Sequence, residues 1–68
     1  MTITWEKRGN YHHAYVGDGR RLSVMQVAGD DFMAFRAVAG DECFVGEART
    51  LEEAQEMAVA AAREKGWL

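Results

Sequence analysis

Turn signals cut the first two thirds of this chain into short pieces, at Gly9-Asn10, Gly17-Asp18-Gly19, Gly29-Asp30-Asp31 and Gly40-Asp41-Glu42. Glycine, asparagine and aspartate tolerate the positive φ that tight turns require, so each cluster marks a reversal of the chain. The pieces between them alternate in the manner of strands. Tyr11, His13 and Tyr15 fall on one face of the second piece, with His12, Ala14 and Val16 on the other. Leu22 and Val24 oppose Met25 and Val27 in the third. In the fourth, Phe32, Ala34, Arg36 and Val38 oppose Met33, Phe35 and Ala37. Strands are expected over residues 2–8, 11–16, 20–28, 32–39 and 43–48. Short turns between successive strands imply an antiparallel meander.

The pattern then changes period. Thr50-Leu51-Glu52-Glu53 is a capping box, in which the threonine oxygen takes an orphan amide and Glu53 reaches back. Leu51, Ala54, Ala58, Ala61 and Ala62 recur at helical spacing, and their small size predicts close packing onto the sheet. Glu52, Glu53 and Glu56 complement the positive end of the helix dipole, and Arg63 and Lys65 the negative end. Gly66 suits a left-handed residue after the helix, with Trp67 folding back against Ala62. The expected fold is therefore α+β: a four- to five-stranded antiparallel meander with one C-terminal helix packed on one face. One helix cannot cover both faces, and both carry apolar residues. The far face is expected to be exposed, or covered by a partner or a second copy.

Length limits the function. A chain of 68 residues is one domain, residues 1–68, with a thin core and no room to enclose a deep pocket. Cys43 is the sole cysteine, so no internal disulfide staples the fold, which suits a reducing cytoplasm. Burial as a small apolar residue is expected for it. No apolar run approaches the roughly 20 residues of a membrane span, and residues 1–6 lack the features of a signal peptide.

The candidates for chemistry are weak. His12 and His13 are neighbours on a strand and point to opposite faces, with no third ligand at metal spacing, so no metal and no cofactor is expected. Ser23 lies mid-strand and could meet a histidine across the hairpin, but nothing suggests an oxyanion hole. The carboxylates stand in turns and at a helix end, where they remain solvated. Gly17-Asp18-Gly19 lacks a strand-to-helix context and sets a carboxylate where a phosphate would sit. The expectation is a protein that is not an enzyme, with no catalytic residues.

Charge is the feature with functional content. The formal net charge is -3, unevenly spread. Residues 1–29 hold Lys7, Arg8, Arg20 and Arg21 against Glu6 and Asp18, a net of +2. Residues 30–62 hold Asp30, Asp31, Asp41, Glu42, Glu47, Glu52, Glu53 and Glu56 against Arg36 and Arg49, a net of -6. That half opposes direct nucleic-acid binding, which needs clustered Lys and Arg. In a meander, Asp30, Asp31, Glu47, Glu52, Glu53 and Glu56 are expected at one end of the sheet, and Asp41 and Glu42 at the other. A rigid array of this kind attracts a basic groove by imitating phosphates. It is equally what turns and helix starts ordinarily contain.

The segments Ile3-Thr4-Trp5-Glu6, the fourth strand, and Gly46-Glu47-Ala48-Arg49-Thr50-Leu51-Glu52-Glu53-Ala54 together resemble small accessory proteins of phages and prophages, nearly over the whole chain. Among these are the anti-CRISPR inhibitors of type I surveillance complexes, several of which are acidic DNA mimics. The resemblance implies a cytoplasmic protein of the host cell that binds, without turnover, a Lys/Arg-lined DNA-binding groove of such a complex. It carries no residue roles with it. Two alternatives stand beside it. One is an interaction or scaffolding module that pairs through the uncovered sheet face or an edge strand, using Trp5, Tyr11, Tyr15 and Phe35, as a monomer or weak homodimer. The other is a nucleic-acid binder using Lys7, Arg8, Arg20 and Arg21.

Overall fold

The alternation and the turns produce the expected meander. A computed structural model describes residues 3–17, 19–27, 29, 31–39 and 41–68. Its elements are β1 (Glu6–Arg8), β2 (Tyr11–Gly17), β3 (Arg20–Gln26), β4 (Phe32–Val38), β5 (Asp41–Ala48) and α1 (Leu51–Glu64). All neighbours in the five-stranded sheet are antiparallel, in the order β1-β2-β3-β4-β5. The fold is α+β.

Boundaries shift at both ends of the sheet. The first strand is three residues long. Ile3 and Trp5 leave it and pack instead against the core beside the helix. The last strand begins at Asp41 because Ala39 takes the positive φ of the preceding turn, at 52°, and Val38 pairs with Asp41. Asp41 and Glu42 are thus strand residues, where a turn was expected.

The core lies between α1 and one sheet face. It holds Ala14, Leu22, Val24, Ala34 and Ala48 from the sheet, with Ala54, Ala58 and Ala62 from the helix. Leu22 and Val24 are its largest fully buried apolar side chains, each contributing about 1.5–3 kcal/mol by burial. With alanine supplying most of the helix face, α1 sits low on the sheet. Gly46 makes room for a helix side chain: a Cβ there would collide with Cε of Met57. The sheet accommodates this with a bulge in β5, where Ala34 pairs with Gly46 and Phe35 with Phe44, leaving Val45 extra.

Both helix ends are closed by local chemistry. The Glu53 amide donates to Thr50 Oγ1 at 3.1 Å. Of the two capping-box bonds expected, this is the one that forms. At the other end Gly66 has φ 76°. Its amide donates to the Arg63 carbonyl at 3.0 Å, and the Trp67 amide to that of Ala62 at 2.9 Å. This pair of bonds is the Schellman motif. It turns Trp67 back onto the core, where the Arg20 guanidinium lies 5.4 Å from the indole centroid.

Candidate functional site

Since α1 and the Ile3–Trp5 segment occupy the same side, the opposite sheet face carries no covering element among the described residues. Strand pairing arranges that face in three rows. The first runs Arg8, Tyr11, Met25, Met33, Glu47. The second runs Glu6, His13, Ser23, Phe35, Phe44. The third runs Tyr15, Arg21, Ala37, Glu42. Tyr15, Phe44 and Tyr11 are 70%, 55% and 40% exposed. Met25, Met33 and Phe35 are half-buried between them. Phe35 and Phe44 meet edge to face at 5.7 Å, and Tyr11 stacks on His13 at 5.5 Å. These contacts fix the aromatic rings with little freedom left to lose on binding.

Polar groups thread through the same surface. The Arg21 guanidinium donates to Glu42 Oε1 at 2.8 Å, passing over the small, buried Ala37. Its Nε is buried without an acceptor among the described residues. Ser23 Oγ lies 2.9 Å from His13 Nδ1, so the hairpin does bring these two together. Ser23 is 1% exposed, and a hydroxyl so enclosed is out of reach of a substrate. Its role here is to satisfy the histidine and itself within the sheet. Burial holds the His13 pKa below its ordinary value; the Arg21 cation adds to this, Glu42 opposes it, and Arg8 and Glu6 act more weakly in opposite senses.

The acidic residues are dispersed over several surfaces. Asp30 lies outside the described residues. Asp31 and Glu47 do share one depression at the end where the helix begins, with Ala48 and Arg49. Glu52 and Glu56 line a different one, with Trp5, Val59 and Arg63. Glu53 is exposed on the first helical turn. Asp41 lies in a third depression beside Arg36, Cys43 and Lys65, and Glu42 is held by Arg21. Each depression that holds a carboxylate therefore holds a cation too.

Cys43 is exposed, where a buried position was expected. It stands on the edge strand, opposite Arg36, where no further strand covers it. Among the described residues no group of three histidine, cysteine or acidic side chains could hold a metal ion. No helix among the described residues is long and apolar enough to cross a membrane.

Comparison with known proteins finds no matching family model, no similar curated protein and no similar solved structure.

Proposed function

We propose that the protein is a non-enzymatic binding module whose working surface is the helix-free face of its sheet. The observation that carries this reading is the group Tyr11, Tyr15 and Phe44, standing exposed around Met25, Met33 and Phe35 on a single rigid face. Aromatic and methionine side chains grouped in this way are characteristic of interface centres, where truncation is most costly. The Arg21–Glu42 and His13–Ser23 contacts already join these polar groups within the sheet, which lowers the cost of covering them.

The test is a photo-crosslinking amino acid placed at position 44, on this face, or at position 64, exposed on the helix, in cells producing the protein. Adducts concentrated at position 44 support the reading. Equal or lower yield there than at position 64 overturns it.

A second reading takes the acidic groups as the contact surface for a host complex that binds DNA, of the type I surveillance kind. The shared depression of Asp31 and Glu47, beside the start of α1, supports it. Glu53→Lys leaves the sheet face intact and separates the two. Loss of binding to such a complex favours the acidic reading, and binding that is absent or unchanged removes it.

A further inference from the structure

If the helix-free face is the working surface, the arrangement of its rows narrows the occupant. We propose that this occupant is a second copy of the chain, packed face to face about a two-fold axis parallel to β3.

The first row carries the signature. It begins with a cation on the β1 edge, Arg8, and ends with a carboxylate on the β5 edge, Glu47. An axis along the central strand lays the row end-for-end on itself. Arg8 then meets Glu47 of the second copy, Tyr11 meets Met33, and Met25 meets Met25. The charge pair occurs twice, once on each flank, and encloses an apolar centre. In the isolated chain Arg8 is held loosely, 3.7 Å from Glu6, with its side chain 76% exposed. In the third row Tyr15, the most exposed aromatic, falls over the Arg21–Glu42 bridge that covers Ala37 of the second copy. In the second row His13 comes to lie over Phe35, and Glu6 over Phe44. Arg21 meets Arg21 near the axis, and each is already neutralised by its own Glu42 at 2.8 Å.

Aligned sheets cross at about 30° and strands lie about 4.8 Å apart, so the flanking pairs are displaced by about 5 Å. A long arginine side chain spans that offset. Four strands of seven or eight residues and a three-residue β1 present a flat footprint of roughly 500 Å². Two copies would bury about 1,000 Å², at the lower limit of specific interfaces. The expected assembly is a weak, reversible dimer.

Other self-pairings are disfavoured by the same residues. A two-fold axis across the strands places Glu47 over Glu42 and Met25 over Arg21. Pairing along the free edge of β5 also sets Glu42 opposite Glu47. The β1 edge offers three residues, too few to hold a ladder.

Sedimentation equilibrium over a wide concentration range tests the proposal, with Arg8→Glu, Glu47→Arg and the double variant. Both sites are exposed, and circular dichroism checks that each variant folds. The wild type is expected to dimerise. Each single reversal should weaken dimerisation by about tenfold or more, and the double reversal should restore it. A monomeric wild type, or a dimer indifferent to either single reversal, overturns the proposal. Adducts at position 44 to a different protein, with a monomeric wild type, would overturn self-pairing and leave the working-surface reading standing. Absence of adducts there would remove both.

Discussion

Gly46 makes room for the end of the Met57 side chain, and replacing it tests that fit quantitatively. A Cβ built at this position collides with Met57 Cε. The obstacle is the end of a flexible side chain, so Gly46→Ala forces Met57 to swing aside without moving backbone. The displaced methyl loses burial of about 0.8 kcal/mol. Replacing glycine within a strand returns about 0.5–1 kcal/mol by restricting the unfolded chain. The two nearly cancel, and Gly46→Ala is expected to change stability by less than about 0.5 kcal/mol. Valine adds two further carbons to the space that Met57 fills, so a larger displacement of that side chain is needed. Gly46→Val should cost about 1–3 kcal/mol. If Met57 is the cause, most of that cost disappears once the site is emptied. In a Met57→Ala background the valine should cost about 0.5 kcal/mol or less, a coupling of about 0.5–2.5 kcal/mol. Urea denaturation of the four proteins in the valine–alanine cycle measures this directly. Additive effects, with valine equally costly in both backgrounds, would refute the claim that Met57 fills the space a side chain at position 46 would occupy.

Thr50→Ala removes the acceptor of the Glu53 amide and should cost about 1 kcal/mol in urea denaturation, with Thr50→Ser largely neutral. His13 gives stability a pH dependence of predictable sign. Its folded pKa is lowered, chiefly by burial and then by Arg21, with Arg8 adding to and Glu42 and Glu6 opposing the effect. The unfolded chain therefore binds the proton more readily, and the contribution is complete above the ordinary value of 6.5 and declines as pH falls below it. The stability of wild type relative to His13→Gln, followed by thermal denaturation, should fall as pH is lowered through that window; parallel curves would contradict the assignment.

What the sequence made legible was governed by local chemistry. The turns at Gly9, Gly17–Gly19 and Gly29 fall between strands because those residues accept positive φ. Thr50 and Gly66 bound the helix through bonds to residues three to five positions away. The candidate site depended on longer-range facts. Glu42 read as a solvated turn residue, and it is a strand residue bound to Arg21, 21 positions earlier. That Ser23 could meet a histidine across the hairpin is legible in the sequence, but that it is His13 follows from the β2–β3 register. The acidic array was read from the ends of elements alone. Which face each carboxylate occupies depends on strand register, and a single extra residue in β5 changes it.

That residue is Val45. Side chains alternate along a strand, so Glu42 and Glu47, an odd number of positions apart, would face opposite sides of a regular β5. The bulge reverses the alternation between Phe44 and Gly46. Glu42 and Phe44 then stand on the helix-free face together with Glu47, while Gly46 and Ala48 lie under the helix, and Val45 packs against the core. The helix side needs this arrangement, because Gly46 must sit beneath Met57. The far side gains from the same insertion: Phe44 joins Phe35, and the β5 flank acquires the carboxylate that balances Arg8 on the β1 flank. A regular strand in the Glu42–Phe44 register would send Glu47 under the helix, where an unpaired carboxylate is costly. The bulge therefore links how tightly the helix packs to what the open face can recognise.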